Sequence, residues 1–545
     1  MNSRFTPRLF IVFLSLTPGV AAQEGHAHAA AGERLGRVVF PISCNAEAQR
    51  RFGQAVAYLH SFWYEKATAA FGDVVATDST CAMGYWGRAM ALWHPLWTPP
   101  SPTDLAAGLA AAEHGVGLAR TPRERAYLEA IATYYRDYQH TDATARLLAY
   151  AGKMAAVQRG NPDDREAAIF YGLALIAVGQ ANPTDTTFAY QRRADSILEP
   201  LFKLEPQHPG LAHYLIHAND APPLASHGLY AARHYAAIAP DVPHAQHMPS
   251  HTFTRLGLWD EDIASNTRSA AAARAFEQAQ HLNALWDQRG HAWDYLVYAY
   301  LQEGRDRAAK VIVDEAAGVT AGYPAGSLVN EYALAAIPAR YALERGQWQE
   351  AALLPVRPAP QWRAAEAITH FARALAASQV GDTAAIGREM AALGQIESAL
   401  RQAGGPQSYW ADQVKIQLLA VGAWDALVAY HDTSAALTKA KAAADIEDVT
   451  QKHPVTPGSL LPARELYGDL LLAAGRYTDA ADAYATSLQN APLRARSVFG
   501  LARALELAGK AEEARKTYRE FLTLMKDGDG ERPEMALARR AISSR

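Results

Sequence analysis

Cysteine is almost missing from this chain: Cys44 and Cys81 are the only two in 545 residues, and no CxxC occurs. No GxGxxG follows a strand, and neither GxxxxGK[ST] nor GxSxG is present. The sequence therefore carries no sign of a dinucleotide fold, a phosphate-cradling loop or a nucleophile elbow. No stretch is strongly basic and the formal net charge is −4. That excludes nucleic acid as the main partner, because phosphate binding needs a concentrated Lys/Arg face. After the first residues no apolar run approaches the length of a membrane span. Strand signals are scarce as well.

What is present begins with an address. Arg4 and Arg8 precede the apolar run Leu9–Leu16, and Val20-Ala21-Ala22 offers small residues for cleavage. Residues 1–22 read as a secretory signal peptide. Its removal takes two arginines and no acid, leaving a more negative exported chain, periplasmic or secreted, with no transmembrane segment. Residues 23–39 read as a flexible leader. In an oxidising compartment two cysteines invite one bridge, and Cys44 and Cys81 each precede a predicted helix, at starts that adjacent repeats would bring together. Two free thiols are the alternative.

Apolar residues recur at i, i+3, i+4 and i+7, with Gly/Pro punctuation between short amphipathic segments. Gly475, Ala480 and Tyr484 recur as Gly509, Ala514 and Tyr518, each 34 residues on, which is the tetratricopeptide period. Tyr64, Ala67 and Phe71 show the same grammar, and Gly257, Gly304, Gly346 and Gly381 mark further junctions. The expected fold is all-α: a superhelical solenoid of stacked helix-turn-helix units over residues 40–527, with 528–545 as a tail or helix. Pro355–Pro360 and Lys452–Pro462 read as rigid loops within it. The aromatics Trp63, Trp86, Trp93 and Trp97 read as core, the last with a possible stacking role.

The segments HSFWYEKA (His60–Ala67), CAMGYWGRAMALWHP (Cys81–Pro95), HAQHMPSH (His244–His251), HAWDYLVYAYLQEGR (His291–Arg305) and KHPVTPGSLLPARELYGD (Lys452–Asp469) are more idiosyncratic than the generic repeat. Through them the chain resembles a family of large exported bacterial tetratricopeptide-repeat proteins. The resemblance implies fold and export, and it assigns no activity.

Histidine is where chemistry concentrates: eight of the 19 lie between His208 and His251. His213/His217 and His247/His251 are two HxxxH pairs, each placing both imidazoles on one helix face. The pairs are themselves 34 residues apart, as are Pro209 and Pro243, each four residues before its first histidine. They fall on the first helices of consecutive repeats, with Pro in the first turn. First helices line the concave groove of such solenoids. His291, Asp294, Glu166, His60 and His94 fall on groove-facing positions too.

The leading expectation is a binding module whose groove holds a peptide, protein segment or small polar ligand through these residues. A transition-metal protein, a metal-dependent enzyme included, is the alternative. In it four imidazoles, or three with Asp294 or Glu166, bind Zn, Cu, Ni or Fe at about 2.0–2.1 Å. Neither pair is HExxH, so the metalloprotease arrangement is missing, and no catalytic residue is assigned. A structural envelope scaffold, with histidines used only for packing, is the third reading. Exposed end repeats suit a monomer or weak dimer.

Overall fold

The computed structural model describes residues 33–357, 361–529 and 532–543; the signal peptide, most of the leader, and Pro358–Pro360 of the first loop lie outside them. The described chain is a succession of antiparallel helical hairpins, from Ala46–His60 with Tyr64–Thr77 to Ala495–Leu507 with Ala511–Leu524. This is the all-α tetratricopeptide-type solenoid expected from the periodicity. Gly257, Gly304, Gly346, Gly381, Gly475 and Gly509 all sit at positive φ between 63° and 80°, where a side chain would be strained. Ala480, Tyr484, Ala514 and Tyr518 are buried between helices. Gly468 and Gly500 flank the Tyr484 ring so closely that an added Cβ would lie 2.9 and 2.5 Å from it. The only strands among the described residues are Leu285–Trp286 and Gly322–Tyr323, paired in parallel.

Cys44 and Cys81 are bonded, with Cα atoms 5.1 Å apart at the starts of neighbouring hairpins. Residues 34–39, expected in the leader, are instead part of the array. Arg34 pairs with Asp241 at 2.7 Å, Arg37 N–H donates to the Gln207 carbonyl at 2.9 Å, and Leu35 is buried. At the other end, Pro533–Ser543 is a helix that buries Met535 and Ala538 in the cluster holding Tyr518 and Phe521, so stacking runs past residue 527.

The array coils until distant repeats touch. Trp97 Nε1–H donates to Asp287 at 3.2 Å and Trp286 Nε1–H to Glu65 at 3.1 Å, joining the first hairpins to the middle. Trp259 Nε1–H donates to the Leu493 carbonyl at 3.0 Å, and Asp529 N–H to that of Gly304 at 2.9 Å, joining the end to the middle. The segment Lys452–Pro462 then enters the space this leaves. Arg340, buried and paired with Asp294, donates to the Ser459 and Gly458 carbonyls and the Thr456 hydroxyl at 2.7–2.9 Å. His213, His217, His247, His251 and His291 lie buried behind these contacts, and a cavity of about 160 Å³ remains beside them among Thr254, Arg255, Lys452 and Ser459.

Candidate metal centre

Three elements carry the site. Pro209–Ala218 presents His213 and His217, and Asp287–Gln302 presents His291. Between them the first arm of the next hairpin is broken in two, Pro243–His247 and Pro249–Leu256, because Pro249 has no N–H to continue the helix. The break leaves His244, His247 and His251 all turned into the interior. None of these six histidines is more than 8% exposed. Burial pushes every one of the six imidazoles down, His213 to about 3, so all are neutral at neutral pH.

They form two trios, His213/His217/His244 and His247/His251/His291, in each of which one ligand atom per residue lies within 4.8 Å of the others. The hydrogen bonds decide which nitrogens are bare. Asn266 Nδ2–H₂ donates to Asp262 Oδ1 at 2.7 Å, which turns its Oδ1 toward His247 Nδ1, 2.6 Å away. His247 therefore carries its proton on Nδ1. His251 Nδ1–H donates to the Asp220 carboxylate at 2.8 Å, so its proton is on Nδ1 too. Burial opposes the charge on Asp220, but Lys452 and Arg255 outweigh it and hold that carboxyl well below its usual range. The Nε2 atoms of His247 and His251 thus face each other at 3.0 Å with neither carrying a proton, and the Tyr295 hydroxyl stands 3.3 Å from His251 Nε2 and 3.2 Å from the Thr456 carbonyl.

The other trio repeats the pattern. His213 Nδ1–H donates to the His60 carbonyl at 2.6 Å, and His244 Nδ1–H to Gln288 Oε1 at 3.2 Å. Their Nε2 atoms stand 3.1 Å apart. The third member of each trio has a buried nitrogen without a partner: Nε2 of His217 and Nδ1 of His291. Two lone pairs at van der Waals contact, with an orphaned third beside them, repel unless a cation joins them. Nitrogens on the edge of a tetrahedral site with bonds of about 2.0–2.1 Å are spaced by about 3.3 Å. Imidazoles whose outer N–H is held by a carboxylate, an amide or a carbonyl are arranged as metal ligands are.

The third cluster, His60, Glu166 and His208, has similar residues and the opposite chemistry. His208 Nδ1 accepts from Leu211 N–H, so its Nε2–H donates to Glu166 Oε1 at 3.0 Å. His60 Nε2–H donates to Glu166 Oε2 at 3.0 Å, and its Nδ1 accepts from the Tyr214 hydroxyl at 2.9 Å. Every nitrogen is satisfied. Burial alone would raise the Glu166 carboxyl; the two imidazoles outweigh it and bring it to about 2.

Of the residues singled out in the sequence, His213, His217, His247, His251 and His291 come together. The four histidines of the HxxxH pairs divide between two trios instead of forming one site. His60 reaches the trios only through its carbonyl, which accepts from His213, Glu166 bonds His60 and His208, and Asp294 is taken up by Arg340 at 2.7 Å. His94 is apart, with its ring against Tyr64. All of them but the half-buried His94 are sealed from solvent, so they do not line an open groove. His244 was missed because it breaks the 34-residue register, although its i,i+3 spacing to His247 puts it on the same face.

A tetratricopeptide-repeat family profile matches residues 467–529. No curated protein matches the chain. Among solved structures, the human IFIT1 dimer with m7Gppp-AAAA is 13% identical, over 81% of this chain and 90% of that one, with a TM-score of 0.34. The APC/C hetero-tetramer Cut9–Hcn1 is 12% identical, over 91% and 97%, at 0.29. Yeast Tom70 is 9% identical, over 91% and 95%, at 0.26.

Proposed function

We propose that this is an exported metalloprotein in which a tetratricopeptide-type array holds transition-metal ions on two adjacent sets of three imidazoles. The carrying observation is that the Nε2 atoms of His247 and His251, both left without a proton because Asn266 and Asp220 hold their Nδ1–H groups, face each other at 3.0 Å. All six of these histidines are buried, so a peptide laid on the surface would not contact them. Export is supported by the leader and by the Cys44–Cys81 bridge, which suits an oxidising compartment.

Elemental analysis of untagged protein tests the reading. Near-stoichiometric Zn, Cu, Ni or Fe is expected in the wild type, and a sharp loss in His247→Ala/His251→Ala. Asn266→Leu, which removes the acceptor for His247 Nδ1–H, is expected to keep the fold and to weaken metal affinity by about 10–100-fold. A folded wild type that takes up no metal even after incubation with these ions defeats the proposal. Amino-terminal sequencing of the exported protein is expected to begin at Gln23.

A further inference from the structure

The cavity of about 160 Å³ draws its walls from parts of the chain that are far apart. Thr186 comes from the first half of the array, Arg255 from the broken arm, Lys452 from the closing segment and Asn490 from a late hairpin. Thr186 and Asn490 are exposed, so the cavity meets solvent. At ~30 Å³ per water it has room for about five waters, which is the scale of a small organic molecule and too little for a folded chain segment.

Its charges are not matched where they stand. Arg255 and Lys452 both bond the Asp220 carboxylate, at 2.9 and 2.8 Å, and Arg255 also donates to the Asp220 carbonyl at 3.1 Å. Two cations share this one anion, whose remaining partner, His251, is neutral. One positive charge is left over. Burial lowers the Lys452 ammonium to about 8; Asp220 opposes the fall and Arg255 adds to it.

Glu447, on the same cavity, is the reverse case. Its two oxygens accept from the Ser459 hydroxyl at 2.7 Å and the Ala463 N–H at 2.6 Å, and both donors are uncharged. Burial, which these donors offset only in part, brings its carboxyl up to about 7. Arg464 lies nearby on the wall but is taken up by Asp448 and Asp445, each at 2.7 Å. Asp185, the other acid of the wall, is turned to the Thr187 N–H and hydroxyl at 2.9 and 2.6 Å. Unmatched buried charge is costly, and a ligand that supplies the missing partner of each sign relieves it at both places. A simple anion or a simple cation relieves only one.

We infer that this cavity binds a small zwitterion, its carboxylate held by Arg255 and Lys452 and its ammonium by Glu447. A free amino acid and a dipeptide share that chemistry at this size. The inference does not depend on the metal reading, since none of the six imidazoles lines the cavity.

Isothermal titration calorimetry of the full-length protein tests it, with L-alanine, L-alanyl-L-alanine, propionate and ethylamine as probes. Binding of a zwitterion is expected, and the tighter of the two tells free amino acid from dipeptide. Propionate and ethylamine each forfeit one charge-assisted contact and are expected to bind about 10–100-fold more weakly. Glu447→Gln keeps the shape and an acceptor but removes the charge. It is expected to weaken zwitterion binding by a similar factor while leaving the affinity for propionate unchanged. Three results would each overturn the inference: no binding of either zwitterion at millimolar concentration, propionate or ethylamine binding as tightly as the zwitterions, or a folded Glu447→Gln chain that binds them as the wild type does.

Discussion

Glu166 and Asp220 are both buried carboxylates touching histidine, and their partners give them different work. Asp220 takes one imidazole N–H and leaves the far nitrogen of His251 without a proton and facing His247, whereas Glu166 takes two and leaves every nitrogen of its cluster satisfied. Glu166→Gln is accordingly expected to cost stability, about 2–3 kcal/mol, without changing the metal count. The sign of its pH dependence follows from a carboxyl lowered from 4.5 to about 2. Its contribution is complete above the unfolded value and is lost as pH falls through that window, so the variant should show a shallower acid loss of stability there. Urea melts across the acid range, with elemental analysis alongside, check both statements; a variant short of one metal ion would make His60/Glu166/His208 a third site. In the sequence these residues looked alike. The distinction lies in which nitrogen each proton occupies, and that is set by groups such as Leu211 N–H and Asn266 Oδ1, whose contacts no spacing encodes.

At the level of elements, the histidine pairs were legible because a helix turns their i,i+4 spacing into a shared face, and because Pro209 and Pro243 start both helices in the same register. The broken arm was harder to see. Pro249 reads as a helix start or a kink, and it is packing against the Ala225–Ile238 and Trp259–Ala279 helices that turns His244, His247 and His251 inward. Close approach of the Pro209–Ala218 helix to His60 is set by Gly210, where an added Cβ would lie 2.5 Å from His60 Nδ1. Gly210→Ala should therefore force the two helices apart, destabilise the fold by about 1–3 kcal/mol and disturb the His213 anchor, whose Nδ1–H depends on the His60 carbonyl. Denaturant midpoints and metal affinity measured together test it; a neutral variant would mean that the His60 ring yields without cost.

For the whole molecule, the repeat period announced the solenoid, and the local pattern stopped there. Whether the coil stays open is decided by bonds between residues that are far apart in the chain: Trp97 with Asp287, Trp286 with Glu65, and Lys452 with Asp220. These bury histidines expected to line a groove and, on the metal reading, would tie metal binding to the stability of the entire array. Saturating metal should raise the melting temperature, with a stabilisation of about 2.7 kcal/mol at 100 times the dissociation constant, and EDTA should reverse it. Hydrogen exchange should slow together in residues 64–97 and 449–462 if closure and metal are coupled; slowing confined to 209–291 would separate them. The order of the chain adds a consequence in time. All six candidate ligands lie between His213 and His291, whereas the segment that closes over them comes much later, beginning at Lys452. A chain emerging from its amino terminus thus presents a finished set of donors while still uncovered. On the metal reading, the cell would have an interval in which to deliver the metal, after which the closing segment would make the ion slow to exchange. Which ion is kept would then depend on supply during that interval as well as on affinity.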